Sequence, residues 1–192
     1  MAVTIDATVG GASANSYITL SDANDLVDAM VSSTDVTKWA TGTDDTRNRA
    51  LATATQRLDR ERFLGARATN TQALQWPRDG VRKPDSYTPV YSFGFAFRSV
   101  VDYYTTTEIP DQVKRAQVEL AVYLHNNVDG LGLSGLEDFQ NLQVGSINIT
   151  PNFFGAVGAD RIPPIVERYL TGLRISGPGN IIHLVHGEEE NV

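Results

Sequence analysis

Histidines and carboxylates are the side chains here that could hold a metal or transfer a proton, but their spacing favours neither. His183 and His186 lie three residues apart in a stretch expected to be extended, so their rings would point to opposite faces. His125 falls near the end of a predicted helix, where a cation is mildly favoured. Asp44 and Asp45 fall where a helix should begin, and negative charge is favoured there. We expect no metal and no cofactor.

Motifs for nucleophilic and phosphate chemistry are missing as well. The sequence contains no G-x-S-x-G turn, and no GK[ST] follows the glycines at 130, 132 and 135. It contains no cysteine, which excludes disulfides and thiolate metal sites. We expect a protein that is not an enzyme and has no catalytic residues.

Positive charge is concentrated in one stretch, Arg47–Lys83, which we call the basic segment. It has nine basic and three acidic residues, a local excess of six, whereas the whole chain carries −7 and the remainder therefore −13. With neighbouring aromatic rings it could bind single-stranded DNA, since such sites combine a basic groove with rings that stack on bases. Alternatively, it could face the acidic side of another copy, because complementary potentials set register across interfaces. The charges expected at that interface between copies are Arg47, Arg57, Arg60 and Arg62.

Four helices are predicted to position these residues. The first starts near Thr19 or Ser21 and ends at 32–34, and the second spans about 44–64 with Gly65 as its stop. A central helix follows Pro110, and a last one begins at 163–164 and runs to about 173. The central helix is apolar on two faces, which predicts burial on two sides, within the bundle and against a neighbour.

Extended segments interrupt and follow the helices. The aromatic segment 82–107 predicts a β-hairpin or long loop, and 142–150 predicts a short strand. The fold class expected is mainly α: a small helical bundle with a β-hairpin or loop insertion and extended N- and C-terminal arms. Residues 1–175 would form the bundle domain and 176–192 the C-terminal arm.

Two of these segments are predicted to contact partners. Strand addition to a partner would suit the short apolar arm at the C-terminus. The residues of that arm are Ile181, Ile182, His183, Leu184 and Val185. The residues expected at the interface of the insertion are Tyr91, Phe93, Phe95 and Phe97.

The stretch LQWPRDGV at 74–81 predicts a structural corner after the second helix. Pro77 restricts Trp76 to an extended backbone, and Gly80 can take the positive φ of a turn. We expect the Trp76 ring to cover the end of the bundle with its N–H near a polar partner. Arg78 is expected to point outward or toward a neighbour. A protein interface and base stacking are the alternatives for the ring.

No apolar run approaches the roughly 20 residues that span a bilayer, and the first residues lack the pattern of a signal peptide. The sequence therefore predicts an intracellular product with no membrane contact.

Five runs, taken in order, resemble a family of tailed-phage neck proteins. The order and spacing match from residue 12 to about 175, and the family is labelled DnaT-like single-stranded DNA-binding. Its better-understood relatives resemble head-to-tail adaptor (connector) proteins. The runs are ANSYITLSDANDLVD at 14–28, RALATATQRLD at 49–59, LQWPRDGV at 74–81, EIPDQVKRAQVELAVYL at 108–124 and VGSINIT at 144–150.

The resemblance implies a virion structural protein, located at the head–tail junction and assembled in the host cytoplasm. It would form a homo-oligomeric ring of about twelve copies between the portal protein and the tail or a second neck protein, and the arm residues 181–185 would then bind the portal. DNA would pass through the lumen without specific binding. The alternative is a single-stranded DNA-binding protein of replication. The resemblance supplies no catalytic residue.

Overall fold

Five helices and six short strands make up the described part of the chain. The computed structural model describes residues 2–92, 96–126, 142–144, 147–149 and 162–175, of which 85–92, 96–101, 142–144 and 147–149 are described by their backbone alone. The helices are α1 (Leu20–Asp28), α2 (Ser33–Thr41), α3 (Asp44–Leu58), α4 (Asp111–Asn126) and α5 (Pro164–Tyr169). The strands are β1 (Ala66–Arg67), β2 (Arg78–Asp79), β3 (Arg82–Ser92), β4 (Ala96–Tyr103), β5 (Leu142–Val144) and β6 (Ile147–Ile149). They pair in sequence order as small antiparallel ribbons. The mainly helical fold class is confirmed.

The helix α4 is central because its apolar residues recur on two faces. Val113, Ala116 and Leu120 are fully buried on one face, and Val118 and Ala121 are fully buried on the other. The helices α1, α2, α3 and α5 all pack against α4. Burial on two sides is therefore achieved within one chain, and it requires no neighbouring copy.

The first helix begins as expected and buries apolar residues against the central helix. The Thr19 hydroxyl accepts a hydrogen bond from the backbone N–H of Asp22, which caps α1. Ala23 and Val27 are fully buried against α4. A helix that ended at 32–34 would include Val31, and this prediction is wrong. The helix ends at Asp28, so Val31 lies in the following turn and is fully exposed.

The predicted end of the first helix at residues 32–34 is instead the start of α2, which the sequence did not indicate. The Ser32 hydroxyl accepts a hydrogen bond from the backbone N–H of Asp35 and caps this helix. The Trp39 ring is buried, and its Nε1 donates to Asn24 at 2.8 Å. The ring of His125, at the end of α4, lies 5.3 Å from the Trp39 ring, so this histidine packs in the bundle.

The second predicted helix, α3, ends at Leu58 and not near residue 64. The Asp59 carboxylate accepts hydrogen bonds from the Tyr17 hydroxyl and from the backbone N–H of Gln75, which hold the chain in a turn. Residues 60–64 then leave the helix axis, and Phe63 forms an antiparallel bridge with Arg174. Tertiary contacts therefore override a helical pattern that continues in the sequence.

Gly65 was predicted to stop this helix, and that assignment is also wrong. Its φ is +71°, but it lies several residues beyond the helix end, directly before β1. A side chain at this position would collide with the Asp79 carbonyl. The glycine is therefore required for the close approach of β1 and β2.

The hairpin expected at 82–107 is confirmed by the pairing of β3 with β4. The single strand expected at 142–150 is wrong, because β5 and β6 form an antiparallel pair. Gly145 and Ser146 separate them, and these residue types are typical of a two-residue hairpin connection. The last helix ends at Tyr169 and not near 173.

The N-terminal arm has no helix or strand before α1 and folds back onto α3. There the backbone N–H of Val3 donates to Asp45 at 2.9 Å, and Asn48 donates to the Val3 carbonyl. The predicted C-terminal arm at 176–192, with its portal-binding residues 181–185, lies outside the described residues.

Gln117 is a fully buried polar residue of α4 that joins three parts of the core. Its Oε1 accepts from the Tyr17 N–H at 3.0 Å, and its Nε2 donates to the Ser16 hydroxyl at 2.7 Å and the Leu51 carbonyl at 3.2 Å. The residue thus fixes the N-terminal arm and α3 on the central helix.

Replacing Gln117 with leucine is expected to lower the free energy of unfolding by about 2–4 kcal/mol, since buried groups lose their partners. Urea denaturation followed by circular dichroism measures the change. Gln112 on the same helix accepts one hydrogen bond, from the Tyr104 hydroxyl, and is only half-buried. Its leucine variant should lose about 1 kcal/mol or less. Equal losses in the two variants would contradict this account of Gln117.

Candidate assembly surfaces

The β3–β4 hairpin is anchored to the helical body at its base. The backbone N–H of Tyr104 donates to the Val81 carbonyl at 2.9 Å, and the Tyr104 ring is buried. Lys83 Nζ lies 3.3 Å from a Glu108 carboxylate oxygen and 5.3 Å from the centre of the Tyr104 ring. The first and last residues of the hairpin, Arg82 and Tyr103, are paired. The hairpin therefore leaves the body from a fixed position.

Beyond its base, the hairpin pairs only with itself in the described part of the chain. The pairing continues from Tyr87 opposite Val101 to Ser92 opposite Ala96, after an irregularity beyond Arg82. No third described strand joins β3 or β4, so each presents one edge of unpaired backbone groups. Such an edge can accept a strand from another chain.

The predicted contact residues of the insertion are only partly within the described chain. The backbone of Tyr91 pairs with that of Phe97. Phe93 and Phe95 lie outside the described residues. Their assignment to an interface stays a prediction.

The arginines of the basic segment do not form one common surface. Arg47, predicted at the ring interface, is largely engaged in its own chain, because its Nε and one terminal nitrogen donate to the Gly42 carbonyl. Its side chain is only 17% exposed. The other three predicted interface charges lie at the end of α3 and in the turn after it. Arg57 is half-buried, and Arg60 and Arg62 are exposed.

Arg78 is buried, and the expectation that it points outward is wrong. Its exposed fraction is 7%, and its guanidinium donates to the carbonyls of Phe63, Leu64 and Gly65. A fourth contact, at 2.8 Å, is made with the side-chain oxygen of Gln75. The turn after α3 leaves several carbonyls without backbone partners, and the planar guanidinium of arginine can donate hydrogen bonds to several of them at once.

Trp76 lies in the centre of this corner. Its ring is 1% exposed and makes edge contacts with Phe63 and Tyr104, at centroid distances of 5.6 and 6.1 Å. The Trp76–Pro77 peptide bond is cis, and Gly80 has a φ of +74°. The expected polar partner for the ring N–H is wrong, because Nε1 is buried without a hydrogen bond.

Most aromatic rings that the structure describes are unavailable for stacking on bases. Both tryptophans are at most 2% exposed, and Tyr17, Phe63 and Tyr104 are buried as well. Tyr103, at the base of the hairpin, is the most exposed described ring, at 52%. Trp76 and Tyr104 are therefore unavailable for base stacking, whereas the aromatic side chains at 87–97 lie outside those that the structure describes.

A groove runs between α1 and α4 and reaches Tyr169 at the end of α5. It consists of two adjoining cavities of about 480 and 330 Å³ that share Leu26 and Arg115. We call it the α1–α4 groove. Its apolar side includes Leu26, Met30, Val118 and Val122, with the exposed Val31 at one end.

Carboxylates outnumber basic groups along the α1–α4 groove. Five acidic residues line it, against Lys114 and Arg115. Burial raises the pKa of Glu119, and the neighbouring Asp35 raises it further. The five acidic residues are Asp22, Asp25, Asp35, Asp111 and Glu119.

Sequence reasoning missed the α1–α4 groove and the buried Arg78. The groove is built by residues about 90 positions apart in sequence, such as Leu26 and Arg115, so no local pattern reveals it. Arg78 was counted with the exposed charges, and no signal in the sequence distinguishes it from them.

Within the described ranges of the chain, no group of three or more histidine or acidic side chains is arranged to hold a metal ion. None of the helices in those ranges has both the length and the apolar character required to cross a bilayer.

Comparison with known proteins gives one result. No curated protein and no solved structure matches the chain. A family model described as "Putative DnaT-like ssDNA binding protein" matches residues 1–185, which is nearly the whole sequence. The chain therefore belongs to this DnaT-like family.

Proposed function

We propose that this protein is a structural component of a phage particle, a head-to-tail adaptor. In this proposal it forms a homo-oligomeric ring of about twelve copies between the portal protein and the tail or a second neck protein. The ordered runs that resemble neck proteins, from ANSYITLSDANDLVD to VGSINIT, support it.

The observation that carries the proposal is the β3–β4 hairpin on a fixed base. An adaptor needs a rigid body and a segment that reaches a partner. The buried helix α4 and the helices around it supply the body. The hairpin, anchored through Lys83 and Tyr104, presents two open strand edges that another chain can extend.

The charge of the chain also suits an adaptor that surrounds DNA. The net charge is −7. An acidic lumen repels DNA phosphates, so the strand can pass without being trapped. Two arginines of the basic segment, Arg47 and Arg78, are largely engaged with carbonyls of their own chain and contribute little to an open DNA-binding face.

A shortened hairpin tests this role. Replacing residues 84–101 with Asn-Gly joins Lys83 to Asp102 through a favoured two-residue turn, in register with the Arg82–Tyr103 pair, and keeps the base contacts of Lys83 and Tyr104. The variant should fold with unchanged helical content but should be depleted from purified particles, as measured by quantitative mass spectrometry. Wild-type levels of the shortened protein in infectious particles would contradict the role assigned to the hairpin.

Single-stranded DNA binding is the second candidate, and two observations favour it. The family description names this activity, and the exposed Arg62 and Arg67 lie close together in the sequence. A gel shift across a salt series tests it, because phosphate contacts make the affinity fall steeply with salt. Absence of a shift at about 50 mM salt would exclude this candidate.

A further inference from the structure

A small apolar and basic patch is exposed beyond the end of α3. The backbone N–H of Leu64 donates to the Leu173 carbonyl at 2.9 Å, and that of Ile175 donates to the Arg62 carbonyl at 2.7 Å. These bonds hold two large apolar side chains next to an arginine, with Leu64 38% and Ile175 52% exposed. We call Arg62, Leu64 and Ile175 the α3-end patch.

The two carboxylates that lie closest to Arg62 in the sequence are already engaged. Asp59 accepts hydrogen bonds from the Tyr17 hydroxyl and the Gln75 N–H, and Glu61 lies 3.1 Å from Arg174. The exposed Arg62 therefore gives the patch a positive character that these neighbouring acids do not cancel.

The α1–α4 groove has the opposite properties. Its side formed by Leu26, Met30 and Val31 is apolar and at least partly exposed, and its carboxylates outnumber its basic groups. Glu119 is half-buried there, close to a second carboxylate, Asp35. A guanidinium placed in the groove would compensate this carboxylate, and aliphatic side chains would cover the apolar side.

We propose that the α1–α4 groove of one copy receives the α3-end patch of the next copy. Leu64 and Ile175 would cover the apolar side of the groove, and Arg62 would face its carboxylates. The two surfaces share no residue, so the contact is heterologous, and its repetition gives a ring when the rotation between successive copies closes. This inference rests on the proposed adaptor function and specifies which surfaces join the copies.

Charge reversal on either surface should prevent assembly. Arg62→Glu and Asp25→Arg each place like charges in the contact, and we expect association about 10- to 100-fold weaker than in the wild type. Both positions are exposed, so thermal unfolding should be unchanged. Asp28→Arg is the matched control for Asp25→Arg. Asp28 is exposed on α1, the helix that also carries Asp25, but it does not line the groove. Its association should stay within about twofold of wild type.

Mixing the two variants gives the sharper result. In a ring that alternates Arg62→Glu copies with Asp25→Arg copies, every contact joins opposite charges. Native mass spectrometry should therefore detect rings in the equimolar mixture of full-length chains and none in either variant alone.

Three results would overturn the contact. The first is that rings persist in both variants, and the second is that the mixture fails to recover them. The third is that Arg62→Glu abolishes a DNA gel shift while ring formation stays intact, which would assign the patch to nucleic acid. In each case the adaptor role itself would stand. A wild-type chain that forms no ring, alone or with portal, would instead contradict the proposed function.

Discussion

Replacing Trp76 with alanine is expected to lower the free energy of unfolding by about 3–5 kcal/mol, because a large ring is removed from a closed site. The ring is 1% exposed and lies between Phe63, which follows α3, and Tyr104, which anchors the hairpin. The substitution therefore removes the contact that joins these two parts. Chemical denaturation followed by circular dichroism measures the loss.

Trp76→Phe is the matched control for this prediction. The indole Nε1 has no hydrogen-bond partner, so the substitution reduces the volume of the buried ring without removing a hydrogen bond. We expect a loss of about 1–2 kcal/mol. An alanine variant of unchanged stability that fails only in particle assembly would contradict the structural role of Trp76 and would assign its ring to an interface.

Replacing Arg78 with leucine is expected to cost about 3–5 kcal/mol, because three carbonyls, in buried or partly buried hydrogen bonds, lose their donor at once. Those carbonyls belong to Phe63, Leu64 and Gly65, and all three lie in the turn that follows α3. Urea denaturation measures the cost. Arg78→Lys should recover only part of it, since an ammonium group cannot reproduce the planar fork of donors.

Arg67 provides the control for Arg78. It belongs to the neighbouring strand β1, is exposed, and donates one hydrogen bond, to the Gln72 carbonyl. Arg67→Leu should change the stability by about 1 kcal/mol or less. Equal losses at the two positions would mean that the internal carbonyl contacts of Arg78 contribute little.

The sequence predicts an element well where its local pattern agrees with the tertiary contacts. Pro110 and two apolar faces indicated α4, and the Thr19 cap indicated the start of α1. The sequence misleads where a distant residue decides the structure. The turn at Asp59 depends on Tyr17, 42 positions away, so the pattern of α3 continued too far. A cap and a stop can also use the same residue types, which is why Ser32 was assigned to the end of α1 and α2 was missed.

The candidate surfaces were less predictable than the helices. The charges in the sequence locate the basic segment, but they do not show which of its arginines are buried. Arg78 is internal, whereas Arg62 is exposed. The α1–α4 groove joins helices that are distant in sequence, and the α3-end patch exists only because Leu64 and Ile175 lie on adjacent chain segments. Surfaces of this kind are properties of the packing and not of any local pattern.

Imaging the neck of purified particles by electron cryomicroscopy tests the central claim most directly. The adaptor proposal predicts a closed ring of about twelve copies directly below the portal, with density for the α1–α5 body in each copy. The hairpin should reach from that ring to a neighbouring component. Absence of this chain from the mature particle would contradict the proposal.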